Sequence, residues 1–526
     1  MISGDSRRTA VAAAVGRAIR AVEAVFDRIY GSPLNPLYQS GVTAVLLLAI
    51  MTVTGLYMFL FYSVSQPYSA VLTLDAQWWG GRWIRALHRY SADAALLAVG
   101  FHALKMFAGG RSWGPRTLAW VSGMILTGAM LLCGWTGFIM VWDTQAQLMG
   151  IELARLLDVL PIFSEPISRT FAGDQPVPSS FFFMNLFLHV ALPLGVTFLL
   201  WLHTSRMARP IIFPPRRLAI AITALLTLMA MAFPYPQLPE ADVFTLPGKV
   251  PLDLFYGFWV PFAQRFGPHV HAAFWLIATA LLLAVPWILR PRQANRRHPS
   301  HVIERICQGC AQCYLDCPYE AIQMVPREVP SEKSALVARV TPELCVSCGI
   351  CVGSCAPMGV GPPARTGRDE LAEARAFAAA HKLDSTTVVL FTCSEGIGAD
   401  PALGHLDGVM TYPVECAGSL HTSVIELVLR SGAGGVFILT CAARDCAFRE
   451  GPKWLEQRVF HNREAELKDR VDRRCVRLVM ASRGERPAAR RQLSDFVREV
   501  RGRAGSSLPE DVDLISDCST AEVDHV

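Results

Sequence analysis

Four histidines stand in two pairs with the same gap: His88 and His102, then His189 and His203, each pair 14 residues apart inside an apolar run. An α-helix rises about 1.5 Å per residue, so this gap spans roughly 21 Å. It also turns the chain about four turns less roughly 40°, so both histidines of a pair share one helix face. Two such helices packed face to face set His88 opposite His189 and His102 opposite His203. That is a scaffold for two bis-histidine haems, one above the other across a bilayer. A lone histidine in a membrane helix often only hydrogen-bonds to a neighbouring helix. Four at duplicated spacing point to function, because ionisable groups in lipid are expensive.

The chain has 526 residues, 52% of them hydrophobic, which implies several domains with at least one in the membrane. Six apolar segments are expected to span it: Gly41–Tyr62, Ala86–Phe107, Leu118–Trp142, Phe181–His203, Leu218–Phe233 and Ala272–Leu289. Basic residues gather on alternate sides. Arg7, Arg8, Arg17, Arg20 and Arg28 precede the first segment, and Lys105, Arg111 and Arg116 follow the second. Arg206, Arg209, Arg216 and Arg217 follow the fourth, and Arg290, Arg292, Arg296 and Arg297 follow the sixth. The third connection instead carries Asp143, Glu152, Asp158, Glu165 and Asp174. The positive-inside rule then puts both termini in the cytoplasm, His88/His189 near the outer face and His102/His203 near the inner face. The net charge of +5 reads as a topology signal, and no nucleic-acid partner is expected. The first 30 residues lack the apolar core of a cleavable signal peptide and read as a cytoplasmic amphipathic helix. Gly41 and Gly55 share the 14-residue spacing, as do Gly123 and Gly137. A macrocycle needs close backbone approach, which glycine allows, although small-residue helix packing gives similar patterns.

These residues carry a resemblance. Ser40-Gly41, Thr54-Gly55-Leu56, Arg85-Ala86-Leu87-His88, the second histidine of each pair and Gly134-Trp135-Thr136-Gly137 resemble the N-terminal haem domain of cytochrome b over about residues 30–210. The loop after the third helix is similar too, with an amphipathic stretch around Ile151–Phe171. The resemblance implies a four-helix core with two haems b, contact with quinone and membrane lipid, and is compatible with a homodimer through the haem domain. The family's outer Pro-Glu-Trp-Tyr motif is absent, and Pro251-Leu252-Asp253-Leu254-Phe255-Tyr256 is only loosely similar to it. Bifurcating quinol oxidation is therefore not implied. His269 and His271 read as exposed loop histidines before the sixth segment.

Of 15 cysteines, eight form two tight runs: Cys307-x2-Cys310-x2-Cys313-x3-Cys317-Pro318 and Cys345-x2-Cys348-x2-Cys351-x3-Cys355. The doubled pattern is specific for a two-cluster bacterial ferredoxin, in which the fourth cysteine of each run ligates the other cluster. Cys307, Cys310, Cys313 and Cys355 are thus expected to hold one [4Fe–4S] cluster, and Cys345, Cys348, Cys351 and Cys317 the second. Separate tetrahedral zinc sites do not explain the crossed spacing. Ala356 stands where a proline is usual. Beyond Gly359–Gly367 the chain reads α/β, with buried parallel strands expected at Thr387–Phe391, Gly435–Leu439 and Val476–Met480. Cys393, Cys416, Cys441 and Cys446 fall at or near strand ends, where sites in open α/β sheets gather. Spacing alone leaves a shared cluster and unrelated buried thiols about equally supported. Phe391-Thr392-Cys393, Glu415-Cys416-Ala417-Gly418 and Thr440-Cys441-x4-Cys446-x4-Gly451 resemble the delta subunit of methyl-viologen-reducing hydrogenase, over about residues 385–485. That resemblance implies a [2Fe–2S] cluster on these four cysteines. It also implies docking to a flavoprotein of the heterodisulfide-reductase or NAD(P)H-oxidising type, or to a hydrogenase subunit. Gly396 stands where the family usually has a further cysteine, and Cys133, Cys475 and Cys518 are left over.

The expected fold is multi-domain: a six-helix transmembrane bundle, an α+β bacterial ferredoxin module and an α/β C-terminal domain. The expected divisions are 1–36, a cytoplasmic segment; 37–210, the di-haem domain; 211–292, two further helices; 293–365, the ferredoxin; and 366–526, the delta-subunit-like domain. The expected function is a membrane-bound electron-transfer subunit of a quinone-linked oxidoreductase in the cytoplasmic membrane. The alternative is a substrate-free conduit feeding an outer-face cytochrome. No nicotinamide or flavin fingerprint appears, so oxidation of a soluble donor falls to a partner.

Overall fold

The computed structural model describes residues 10–162, 165–171, 175–205, 209–288, 298–329, 332–394, 396, 406–461, 463 and 465–505. Arg7, Arg8, Asp174, Arg206, Arg290, Arg292, Arg296, Arg297 and Cys518 lie outside them. Two compact units form, one from Gln39–Arg290 and the other from Met1–Tyr38 with Pro291–Val526.

In chain order the first helix is α1 (Ala10–Tyr30), which belongs to the second unit. The apolar unit follows with α2 (Ser40–Phe59), α3 (Pro67–Ala76), α4 (Gly81–Ala108), α5 (Thr117–Ile139), α6 (Thr144–Leu157), α7 (Ser179–Ser205), α8 (Arg216–Ala232) and α9 (Val260–Ile288). Long apolar runs become helices because a helix satisfies every backbone group within its own segment. Among the described residues five helices are long and apolar enough to cross a membrane: α2, α4, α5, α7 and α9. The expected count was six. The remaining segment forms α8, whose 17 residues reach only about 25 Å against a hydrocarbon core of about 30 Å. The last span, expected from Ala272, is the part of α9 that follows a break in the helix. Its helix begins at Val260 and is broken at Gly267, which has φ +79° ahead of Pro268. The stretch Ile151–Phe171 is not one amphipathic element: α6 ends at Leu157 and a 3₁₀ turn covers Ile167–Phe171.

Within this unit α2 packs along α4, α5 along α7, and α8 against α4. Small buried residues on α4, Ala86 and Ala95, share a core with Leu47 of α2 and with Leu226 and Ala230 of α8. Asp143 caps α6, its Oδ1 accepting from the amides of Gln145 and Ala146 at 3.1 and 2.9 Å.

The second unit holds the cysteine-rich half. Strands β1 (His301–Val302) and β4 (Val360–Gly361) pair antiparallel, as do β2 (Ile322–Pro326) and β3 (Leu336–Val340). One-turn helices α10 (Gln312–Leu315) and α11 (Ile350–Gly353) follow the two cysteine loops. After α12 (Gly367–Ala380) come β5 (Val388–Cys393), β6 (Val409–Val414), α13 (Thr422–Arg430), β7 (Gly435–Cys441), α14 (Gly451–Phe460), β8 (Val476–Ala481) and α15 (Arg486–Gly505). The sheet is parallel in the order β6-β5-β7-β8. Three strands match the expected apolar runs. The fourth, β6, is an edge strand that carries Pro413, which an edge tolerates because the missing amide breaks no inner ladder. The order reverses between β5 and β7, so their carboxyl ends flank a crevice.

The N-terminal segment is built into this unit. Asp27 of α1 accepts hydrogen bonds from Asn35 Nδ2 at 2.8 Å and from the Tyr38 hydroxyl. The Ser32 amide donates to Glu485 Oε1 at 3.2 Å, and Arg444 donates to the Pro33 carbonyl. Gly484 lies so close to Asp27 that a side chain there would overlap it. Asp27 is buried, so losing its carboxylate strands two donors, at about 1–3 kcal/mol each. Asp27→Ala is expected to speed amide exchange across residues 10–38 at least tenfold while strands β5 and β7 stay protected. Hydrogen exchange with mass spectrometry reads both regions.

Candidate functional site

Antiparallel packing of α2 on α4, and of α5 on α7, brings each of the four glycines to one of the four histidines. A Cβ on Gly41 would fall 3.0 Å from the His102 ring, and one on Gly55 3.3 Å from His88. The same test gives 3.4 Å from Gly123 to His203 and 2.8 Å from Gly137 to His189. The imidazoles lie where a larger residue would put its first carbon. Across the bundle the His88 and His189 ring centres are 6.3 Å apart. One metal bonded to both rings, at about 2 Å per metal–nitrogen bond, would put the ring centres roughly 6 Å apart. The residues present fit the group.

The ring nitrogens are sorted by local bonds. His189 Nδ1 is 2.9 Å from the Cys133 carbonyl, so it carries the proton and leaves Nε2 free as a ligand atom. Hydroxyls immediately before the glycines complete the pattern: Thr54 Oγ1 is 3.0 Å from His88 Nδ1, Ser122 Oγ 2.9 Å from His203 Nδ1, and Thr136 Oγ1 3.1 Å from His189 Nδ1. Ser40 holds the corresponding place before Gly41, and its buried hydroxyl has no hydrogen-bond partner. The glycines are marked by their 14-residue spacing, whereas these hydroxyls gain a role only in the folded structure. The repeated Ser/Thr-Gly dipeptide was the available signal.

Beside His88, Arg89 pairs with Asp93 at 3.2 Å and with Asp253, and its guanidinium lies 4.3 Å from the centre of the Phe138 ring. Asp253 Oδ1 also accepts the amides of Phe255, Tyr256 and Gly257. The Tyr256 ring sits on Gly134, where any side chain would overlap it. The loosely motif-like loop therefore has its carboxylate and its aromatic ring engaged in packing. His271 is buried, not an exposed loop residue as expected: it stacks on Trp259 at 4.9 Å, and its Nε2 accepts from Trp275 Nε1 at 2.7 Å. His269 is exposed.

In the second unit the two cysteine runs fold with the same backbone. Gly309 and Ala311 in one loop, and Ser347 and Gly349 in the other, hold positive φ at matching offsets from the first cysteine. One cavity is lined by Cys307, Cys310, Cys313 and Cys355, the other by Cys317, Cys345, Cys348 and Cys351. Each cavity thus takes its fourth thiol from the opposite run. The thiols ring a space instead of converging on a point. Among the described residues no three His, Cys, Asp or Glu side chains close on a single-ion position, and a cuboidal cluster is wider than an ion. Burial holds the Cys313 and Cys348 thiols well above the usual range and pushes Cys351 up to about 12. Thiolates there need the positive charge of iron. Amides aim at the sulfurs: Ala321 N is 3.4 Å from Cys317 Sγ and Gly359 N 3.2 Å from Cys355 Sγ, at the same offset.

A third group of thiols lies at the carboxyl ends of β5 and β7. Cys393 Sγ is 3.6 Å from Cys441 Sγ. A Cβ on Gly451 would fall 3.0 Å from Cys416 Sγ and 3.5 Å from Cys446 Sγ. One on Gly396 would fall 3.1 Å from Cys441 Sγ, so the residue at the further cysteine position faces the same group. Cys348 and Cys416 share one buried core, which sets this group beside the second cavity. Cys133 and Cys475 stand apart from all three groups: Cys133 lies in the apolar unit, 3.7 Å from His189 Nδ1, and Cys475 precedes β8.

Three family models match the chain, in an order that the geometry follows. Residues 25–209 match cytochrome b (cytochrome b/b6/petB), residues 306–359 a 4Fe–4S dicluster domain, and residues 402–502 the methyl-viologen-reducing hydrogenase delta subunit. The chain joins a cytochrome b region to iron–sulfur regions. It is a multi-pass membrane protein of electron transport. The third match begins at residue 402 and leaves Cys393 outside. The cytochrome b region is 24% identical over 157 residues to a menaquinol:cytochrome c reductase cytochrome b subunit of Geobacillus thermodenitrificans, covering 28% of this chain and 69% of that one. It is 23% identical over 133 residues to the Bacillus subtilis protein of the same name, covering 24% of this chain and 58% of that one. Among solved structures, a hyperthermophilic respiratory Complex III chain aligns with a TM-score of 0.40 at 16% identity, over 51% of this chain and 80% of that chain.

The glycine contacts give a direct test. Gly137→Val and Gly41→Val each place branched carbons against a histidine ring. Each is expected to cut haem bound per chain by about half, as the pyridine-haemochrome assay measures it, with the iron–sulfur content unchanged.

Proposed function

We propose that this chain is the membrane-bound electron-transfer subunit of a quinone-linked oxidoreductase complex. The observation that carries the reading is the pairing of four histidines with four glycines in one unit and three adjoining thiol groups in the other. The cytochrome c reductase subunits among its relatives support quinone as the membrane substrate. Clusters and haems supply one-electron chemistry when bound, and this chain's residues hold, insulate and tune them.

The geometry and the arginine distribution support the following assignments. His88 and His189 hold the outer haem b, and His102 and His203 the inner one, with Gly41, Gly55, Gly123 and Gly137 making room. Cys307, Cys310, Cys313 and Cys355 hold one [4Fe–4S] cluster, and Cys345, Cys348, Cys351 and Cys317 the other. Cys393, Cys416, Cys441 and Cys446 hold a [2Fe–2S] cluster that faces a cytoplasmic partner, a flavoprotein or a hydrogenase-type subunit. Both termini and the iron–sulfur domains are cytoplasmic, as the arginine distribution argues. Electrons run from the partner to the third group of thiols, next to the Cys348 cluster, then through the other [4Fe–4S] cluster to the inner and outer haems. Quinone exchanges electrons and protons beside one haem. In the alternative reading the outer haem feeds an outer-face cytochrome. A quinone analogue separates the two readings: it displaces the redox titration of one haem in the first and of neither in the second.

The order can be tested by stopped-flow spectroscopy with a cytoplasmic-side donor. His203→Ala, which removes the inner haem, is expected to slow reduction of the outer haem by at least a hundredfold. His189→Ala is expected to leave inner-haem reduction unchanged. Fast outer-haem reduction in the His203 variant would overturn both the path and the orientation.

A further inference from the structure

Between the dicluster fold and the parallel sheet lies a buried guanidinium. Arg458 of α14 is 1% exposed. Its Nη1 donates to Ser354 Oγ at 2.9 Å and its Nη2 to the Gly418 carbonyl at 2.6 Å. Ser354 precedes Cys355, and Gly418 lies two residues after Cys416. Gly353 makes room, since a Cβ there would fall 2.5 Å from Arg458 Nη2. The remaining donor, Nε, is buried without a hydrogen-bond partner.

The charges around it do not cancel. The nearest carboxylate, Asp316, is 3.8 Å away and also pairs with Arg463 at 2.8 Å, so two guanidiniums face one carboxylate. Glu370 and His421 also face this seam. Burial pushes Glu370 up to about 8 and His421 down to about 4. His421 Nδ1 accepts from the Ser423 amide at 3.1 Å, so its Nε2 donates to the Cys355 carbonyl at 3.2 Å. A surplus positive charge in a protein interior is expensive, and an apolar side chain of similar length often serves stability as well or better. The thiolates of a bound cluster would supply the balancing charge on this seam. Cys416 interacts electrostatically with Arg458.

We propose that Arg458 is a positioning residue for electron transfer: its charge, fixed between the Cys317/Cys345/Cys348/Cys351 site and the third thiol group, stabilises the reduced form of the third cluster and so governs how readily it fills from the donor. The step is one electron from the partner to the cluster, with no bond made or broken and no proton required, because Arg458 offsets the added negative charge. The proposal rests on the reading of the third thiol group as a cluster site.

The test is a mediated redox titration of the purified full chain, followed by EPR. The third cluster's signal is defined as the one that Cys416→Ser removes. Arg458→Met is expected to shift the equilibrium at least tenfold toward the oxidised form, which for a one-electron couple is about 59 mV lower. Arg458→Lys, which keeps the charge, is expected to stay within threefold of wild type. Iron and sulfide content should match wild type in both. A fully loaded Arg458→Met protein with an unchanged midpoint would refute the proposal. Should that variant lose iron, Asp316→Asn decides: removing the counter-charge is expected to raise the midpoint, and no change there refutes the proposal equally. If Cys416→Ser removes no signal, the cluster reading itself fails, and the role of Arg458 falls with it.

Discussion

Close approach of helix backbone to imidazole is the constraint on which the membrane unit depends. A histidine ring can lie against a neighbouring helix only where that helix has no side chain. Here the four positions are Gly41, Gly55, Gly123 and Gly137, each opposite one histidine. Both periodicities are 14 residues, close to four turns, so two antiparallel helices meet twice at the same relative depth. The preceding Ser or Thr adds the polar half of the contact. In three of four cases its hydroxyl reaches Nδ1, which fixes the ring and leaves Nε2 free of that contact. At three of the four histidines, close approach and the Nδ1 contact thus come from one repeated dipeptide.

The iron–sulfur unit solves a related problem with different parts. Buried thiols resist ionisation, so thiolate sites need amides, iron and nearby positive charge. The two cysteine loops supply amides through left-handed backbone at matching offsets, Gly309/Ala311 and Ser347/Gly349. Positive charge comes from Arg458 of α14 and from Arg463 just beyond that helix, both of which approach Asp316. The parallel sheet contributes its switch point, with Cys393 and Cys441 at the ends of adjacent strands. Cys348 and Cys416, from two differently built folds, end in one core.

Much of the candidate site could be read from the sequence because it is periodic. The histidine pairs, the glycine pairs and the crossed cysteine runs are spacing rules, and helices and tight loops convert spacing into position directly. Elements whose identity depends on context were less legible. The β6 strand carries Pro413, exposes Thr411 and buries only Val414, so it lacks the apolar run of its neighbours. The α8 segment is apolar enough for a span yet stops at 17 residues. His271 sits in a sequence that reads as a loop, and only the packing of Trp259 and Trp275 around it makes it a buried residue.

The sequence by itself determined which histidines, glycines and cysteines recur at fixed intervals, since residue type and interval along a regular backbone are local properties. Tertiary structure alone decided what surrounds them. It placed the N-terminal helix against Gly484 and Glu485, more than 450 residues away in sequence. It joined Arg89 of α4 to Asp253 and drew Arg458 between Ser354 and Gly418. Those contacts link distant residues with no shared period. They exist because a buried charge or donor must find a partner wherever the folded chain supplies one.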